Sequence, residues 1–277
     1  MGGVEFPVWA GGRILSPFGG CSSAPTDANT FAGGWIFVEI RMGGKRCEAR
    51  AQAPRLDFAE TRPLNSLIQQ PPMAKSSGIV ITVGITGASG AAYAQSVLRL
   101  LDADTRVQHV FLVASEAGMR LLATELGVVP TDAKKLPSLL TRTAAKKIEY
   151  LPNKDIGASI ASGSAIVDGM VIVPCSAGAL GSIAAGIAGD LLTRAADVCL
   201  KERRPLVLCL RETPLNRIHL ENMLRVHDAG ATVMPAMPAF YYAPKKIDDL
   251  IEQFAFRVLA QVGLPQEKQY RWKGGKE

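Results

Sequence analysis

From Ile79 onward, short apolar runs alternate with amphipathic stretches, and that pattern predicts strand followed by helix several times over. Ile79–Ile85 is a β-branched run of the kind buried on both faces of a sheet, and Ala91–Leu101 reads as a helix. Val107–Val113 is a second strand, after which Ser115 stands where a hydroxyl caps the helix Glu116–Leu126. Thr131–Asn153 is polar and basic with mixed signals, enough for a helix and a short edge strand. Asp168–Val173 is a third strand, expected to stop at Pro174. Ser176 then opens a small-residue helix that breaks near Gly186-Ile187-Ala188-Gly189. Asp190 caps a helix over Leu191–Glu202, and Pro205–Leu210 is a fourth strand. A helix over Leu215–Ala229 closes at Gly230, followed by a fifth strand, Ala231–Met234, and a final helix, Lys246–Val262. Such alternation predicts an α/β fold with an open, doubly wound, mostly parallel sheet flanked by helices. Ligands of such sheets bind at the carboxyl ends of the strands, where strand order reverses.

Residues 1–72 differ from this pattern. They are rich in Gly and Pro, show no sustained period and end in Gln69-Gln70-Pro71-Pro72. Acids such as Glu5, Glu39 and Glu48 make the stretch a poor transit peptide, and it lacks the apolar core of a signal peptide. The expectation is a disordered extension or a mis-assigned start, with Met73 opening the folded domain over 73–277. At 48% apolar and 20% charged residues, the chain is globular with an ample core, and no stretch approaches the roughly 20 apolar residues of a membrane span. A net charge of +6 without runs of consecutive Lys or Arg argues against a nucleic-acid arm, and points instead to a solvated surface or a basic pocket. Five cysteines without a C-x-x-C pair make a metal site and a disulfide framework both unexpected. His109, His219 and His227 show no metal spacing, and surface or structural roles are expected for them.

Candidate chemistry gathers at three strand ends. After the first strand comes Gly87-Ala88-Ser89-Gly90, small residues that leave backbone N–H groups and a helix N-terminus open to an anion such as a phosphate. After the third comes Cys175-Ser176-Ala177-Gly178-Ala179, a second small-residue turn; after the fourth comes the charged pair Arg211-Glu212. If the first and third strands are neighbours, both turns flank one crevice. A dinucleotide site is a poor fit, because the glycines fall as G-x-x-G-x-x-G. Arg194 and Lys201 lie seven residues apart on one helix face with Asp197 between, either a solvated stripe or part of a site. Arg257 shares the apolar stripe of the last helix with Leu250 and Phe254, which calls for an anionic partner in the protein or in a ligand.

From about Gly78 to Pro265 the chain resembles the UbiX-type flavin prenyltransferases. Thr86-Gly87-Ala88-Ser89-Gly90-Ala91, Ala161-Ser162-Gly163-Ser164, Pro174-Cys175-Ser176, Arg194-Ala195-Ala196-Asp197-Val198, Arg211-Glu212-Thr213-Pro214 and Pro238-Ala239-Phe240-Tyr241 carry the resemblance in order. It implies a Rossmann-like flavoprotein scaffold and transfer of dimethylallyl from dimethylallyl phosphate to N5 and C6 of reduced FMN. The product, prenylated FMN, would serve UbiD-type decarboxylases. By the same resemblance Gly87, Ala88, Ser89, Ser115, Ser176, Ala177, Gly178, Ala179 and Arg211 hold FMN. Tyr241, Arg257 and Ser162 face the substrate, and Arg194 and Lys201 lie near the leaving phosphate. Glu125 and Glu212 match acids of proton transfer, and Ser89 also touches the reaction centre. A large homo-oligomer, a dodecamer, with sites near subunit contacts is implied, in the cytoplasm, with neither nucleic acid nor membrane as partner.

Two departures stand out: Ala177 and Ala179 replace hydroxyl or larger side chains of many relatives, and Ile156 stands where some carry Trp. The rival readings are a flavin-dependent decarboxylase on the same scaffold and a non-catalytic flavin-binding subunit. The first relies on a His after the first Gly-rich loop, which is lacking near Ser89; the second has no need of Arg194, Lys201, Arg211 and Arg257.

Overall fold

The computed structural model describes the backbone of residues 35–42 and 45–52, together with residues 78–272 and 274. The chain divides into two units, Met1–Gln69 and Gln70–Glu277. In the first, β1 (Trp35–Met42) pairs antiparallel with β2 (Lys45–Gln52), Trp35 opposite Gln52 and Met42 opposite Lys45. This pairing falls within the stretch expected to be a disordered extension or a mis-assigned start; the expected start at Met73 lies outside the described residues.

The second unit runs β3 (Ile79–Ile85), α1 (Ala91–Ala103), β4 (Val107–Ala114), α2 (Glu116–Leu126), α3 (Leu136–Thr141) and β5 (Ile148–Pro152). It continues through β6 (Gly169–Cys175), α4 (Ala177–Ala184), α5 (Leu191–Lys201), β7 (Leu206–Leu210), α6 (Arg217–Asp228), β8 (Thr232–Val233) and α7 (Ile247–Gln261). All six strands pair in parallel in the order β5-β4-β3-β6-β7-β8. Counting from β3, that is the doubly wound order 3-2-1-4-5-6, whose switch point lies between β3 and β6.

Side-chain alternation along the strands builds two cores. Ile81, Val83 and Ile85 of β3, with Val171 and Val173 of β6, pack with residues of α1, α3 and α7. The other face carries Met170, Ile172, Leu206 and Leu208 beneath α4 and α5. Strands buried on both faces explain why the sequence shows continuous apolar runs rather than alternation. Gly84 lets α5 pack closely on the second face, since a Cβ there would meet Leu192 Cδ1 at 3.2 Å, a tight contact.

Strand β6 does not stop at Pro174 as expected; it continues to Cys175. Its ladder to β7 steps from Ile172 opposite Leu208 to Cys175 opposite Leu210, so the proline, which has no N–H, falls where the pairing is interrupted. The caps read from sequence are in place: Ser115, Ser176 and Asp190 accept from the backbone N–H groups of Gly118, Ala179 and Thr193.

Candidate active site

Because β3 and β6 are neighbours, their two small-residue turns face each other at the carboxyl edge of the sheet. The link between them is Thr86, 3% exposed. Its hydroxyl donates to the Pro174 carbonyl at 2.8 Å and accepts the Ser176 N–H at 2.7 Å, while its own N–H donates to the same carbonyl at 3.2 Å. Glycine at 87 lets this turn close against α2, for a Cβ would lie 2.4 Å from that of Ala117. Gly90 has φ +125, outside the range of ordinary side-chain-bearing residues, and caps α1 without a side chain.

The anion at the α1 N-terminus is supplied by the protein. The Glu125 carboxylate accepts from Gly90 N at 3.0 Å and Ala91 N at 2.8 Å, which completes the cap that Gly90 lacks. Partial burial pulls the Glu125 pKa upward, but the hydrogen bonds from the Ser89 hydroxyl and the Ala91 and Gly90 amides, with the Arg211 charge, outweigh it and hold the carboxyl below its usual range. Arg211, at the end of β7, donates from Nε to the Ser89 carbonyl at 3.2 Å, and its N–H donates to the Cys175 carbonyl at 3.0 Å. Three strand ends are thereby tied together. Glu212 is exposed beside Arg211, its carboxylate accepting the Thr213 N–H at 3.0 Å. At the first turn of α4 the Ala177 and Gly178 amides, which make no hydrogen bond among the described residues, precede the bond that Ser176 makes to Ala179. With the α1 terminus filled by Glu125, that turn and Arg211 are what an anionic ligand would find.

Beside the crevice lies an aromatic pocket lined by Tyr241, Tyr242, Phe254, Arg257 and Tyr270. Tyr93, in the first turn of α1, joins the two: its ring lies 4.7 Å from that of Phe254 and borders Gly90. Arg257 is not enclosed in an apolar stripe as expected. Its side of α7 faces this pocket, it is exposed, and it makes no hydrogen bond or ion pair among the described residues. The anionic partner that its position called for is thus not a protein group described here.

Arg194 and Lys201 stand elsewhere in the chain. Their helix, α5, packs on the opposite face of the sheet from α7. Arg194 donates to the Ala161 carbonyl at 3.0 Å and pairs with Asp197 at 2.7 Å, and Lys201 pairs with Glu202. The start of α5 is tied to Asn153 at the end of β5, so Lys201, at its other end, lies toward the amino edge of the sheet. Ser162 belongs to this second group, its hydroxyl 2.8 Å from that of Ser164. Within one chain, then, the structure brings together Gly87, Ala88, Ser89, Ser115, Glu125, Ser176–Ala179, Arg211 and Glu212, with Tyr241 and Arg257 alongside. It does not bring Ser162, Arg194 and Lys201 to them, because the crossover carries α5 to the other face.

A doubly wound sheet with two capped turns at its switch point is the architecture of a nucleotide-binding α/β protein, and the family model described as Flavoprotein matches residues 70–255. Flavin prenyltransferase UbiX of Pseudomonas aeruginosa is 43% identical over 196 residues, covering 69% of this chain and 93% of its own length. The enzyme of the same name from Escherichia coli K12 is 44% identical over 196 residues, covering 70% and 98%. The solved AnUbiX (PadA1), in complex with FMN and dimethylallyl pyrophosphate, superposes with a TM-score of 0.65 at 39% identity, covering 72% of this chain and all of that one. A dodecameric FMN-dependent UbiX-like decarboxylase from Escherichia coli O157:H7 gives 0.63 at 39% identity, covering 71% of this chain and 100% of its own. The chain belongs to the UbiX flavin prenyltransferase family.

Proposed function

We propose that this enzyme joins the dimethylallyl group of dimethylallyl phosphate to N5 and C6 of reduced FMN, and that prenylated FMN passes to a UbiD-type decarboxylase. The observation that carries the reading is the unpaired Arg257 with Tyr241 in a pocket that adjoins, through Tyr93 and Phe254, the crevice where Ser89, Ser176 and Arg211 meet. The crevice fits FMN: the first-turn amides of α4 and the Arg211 guanidinium suit its phosphate. Ala88, Ser115, Ala177 and Ala179 contribute backbone or a cap rather than long side chains, so flavin contact there does not depend on the hydroxyls that some relatives carry. Bound reduced FMN supplies the nucleophilic N5 and C6.

The chain's own groups serve the substrate that departs. Ionising an allylic C–O bond leaves charge on a phosphate, which Arg257 stabilises and the Tyr241 hydroxyl can hydrogen-bond. Glu125, held ionised, is suited to accept a proton, with the Ser89 hydroxyl as its hydrogen-bond partner. Exposed Glu212 is the candidate donor toward the leaving phosphate. Arg194, Lys201 and Ser162 act in the crevice of a neighbouring copy, which reconciles their face of the sheet with the phosphate role. Ile218, Leu220 and Leu224 on α6 are 65%, 53% and 60% exposed, an apolar surface suited to burial between copies. Among the described residues no helix is long and apolar enough to cross a membrane, and we place the enzyme in the cytoplasm.

Anaerobic incubation with reduced FMN and dimethylallyl monophosphate, followed by mass spectrometry of the flavin, tests the proposal. Flavin enlarged by one C5 unit is expected. Bound but unmodified FMN at every substrate concentration refutes the catalytic reading.

A further inference from the structure

The pocket beside Arg257 is open to solvent but nearly filled by its own lining. Its free cavity is about 10 Å³, room for about one water, and far below what a phosphate with a five-carbon chain needs. Occupation therefore requires a lining group to move, and the groups differ in how firmly they are held. Phe254 is 4% exposed and packed on Tyr93. The Tyr242 hydroxyl donates to the Asp249 carbonyl at 3.2 Å. Tyr270 sits beyond the last helix, on a tail that is pinned only as far as Gln266: Arg106 donates to the Pro265 carbonyl and the Gln266 amide donates to Asp104. Past that point, among the described residues, one side chain hydrogen-bonds the tail to α7. Gln253 Oε1 accepts the Tyr270 N–H at 2.8 Å, and its Nε2 donates to the Lys268 carbonyl at 3.1 Å. So held, the Tyr270 ring stands 5.4 Å from Tyr241 and 5.9 Å from Tyr242 and lines the pocket while remaining 38% exposed.

We infer that Tyr270 is a further substrate-pocket residue that sets how long a prenyl chain the pocket accepts, and that Gln253 is the positioning residue that latches it there. The inference rests on the reading of Tyr241 and Arg257 as the prenyl phosphate site. Even a five-carbon chain must displace part of this lining and a longer one must displace the ring further, which discriminates between them, because a single extra methylene in a fitted pocket is worth about 10- to 200-fold. The two bonds to Gln253 oppose each displacement of the ring, so the latch and the selectivity weaken together.

The test compares native protein with Tyr270→Ala, Tyr270→Phe and Gln253→Leu, each first shown to bind FMN as the native protein does. The readouts are the ratio of kcat/KM for geranyl monophosphate over dimethylallyl monophosphate, and hydrogen exchange of the Tyr270 amide. Tyr270→Ala is expected to raise the ratio at least about tenfold, and Tyr270→Phe to keep it native. Gln253→Leu is expected to raise it in the same direction and to speed exchange of the Tyr270 amide by roughly tenfold or more, the factor that one to two hydrogen bonds supply. A ratio within about twofold of native in Tyr270→Ala overturns the pocket assignment, and native exchange in Gln253→Leu overturns the latch. If native protein alkylates FMN with neither prenyl phosphate, the proposed activity fails and the selectivity assignment with it. The exchange rate still decides the latch by itself.

Discussion

Thr86→Val removes one oxygen and keeps the shape of the side chain, and a large effect is expected from it. The hydroxyl is buried, donates to Pro174 at 2.8 Å and accepts from Ser176 at 2.7 Å. After the change, the Pro174 carbonyl keeps the Thr86 N–H at 3.2 Å, but the Ser176 N–H loses its acceptor. Two net hydrogen bonds at about 1 kcal/mol each, plus part of the cost of an unsatisfied buried donor, give about 2–4 kcal/mol. At about 2–4 °C per kcal/mol for a domain of this size, the melting temperature should fall by about 5–15 °C. Ser176 also heads the turn proposed to hold FMN, so flavin affinity should drop by about tenfold or more as the two turns separate. Thr86→Ser is the control: it keeps the oxygen, loses a methyl, and should cost about 1 kcal/mol with flavin affinity near native. Thermal denaturation and flavin fluorescence titration read both quantities. Thr86→Val as stable and as tight for FMN as Thr86→Ser would refute the tie between the turns.

Gly87→Ala places a methyl 2.4 Å from the Ala117 Cβ, and should cost about 1–3 kcal/mol in urea denaturation while weakening FMN binding. For Glu125, whose carboxyl is held below its usual range, the stabilisation is full above the ordinary value of 4.5 and is lost as pH falls through the lowered one. Native protein should therefore exceed Glu125→Gln in urea midpoint from pH 6 to 8, by less than about 1 kcal/mol because the group is solvent-screened, and the gap should close toward pH 3. A gap that persists in acid would contradict the capping role. Burial pushes the thiols of Cys175 and Cys199 up to about 12 and that of Cys209 well above its ordinary value. Peptide mapping after thiol alkylation of folded protein at pH 8 should find these three unmodified.

The strands were legible because a sheet covered on both faces must be written in unbroken apolar runs, as in Ile79–Ile85 and Leu206–Leu210. The caps were legible because Ser and Asp at helix starts have a local job that tertiary structure seldom alters. Thr86 was not, since a threonine in a glycine-rich turn carries no periodic signal, and its partners lie 88 and 90 residues away. Arg257 illustrates a different limit: helical spacing gives an angle on α7, while the sheet and the aromatic tail decide whether that angle meets core or pocket. The same holds for Arg194 and Lys201, whose shared face was readable and whose side of the sheet was set by the crossover before α5. Gly43-Gly44 between two runs is a two-residue hairpin signal that the lack of clear alternation in 1–72 obscured.

The placement of Arg257 on one side of the sheet and of Arg194 with Lys201 on the other has a consequence for how such an enzyme is switched. If each crevice borrows its second set of cations, competence belongs to the assembled oligomer rather than to the polypeptide, and dilution below its dissociation constant is equivalent to inhibition. Each protomer would then lend and borrow at once. A mixture of two inactive variants, one crippled on each side, then regains a fraction of its crevices through statistical reassortment, as no enzyme with self-sufficient subunits can.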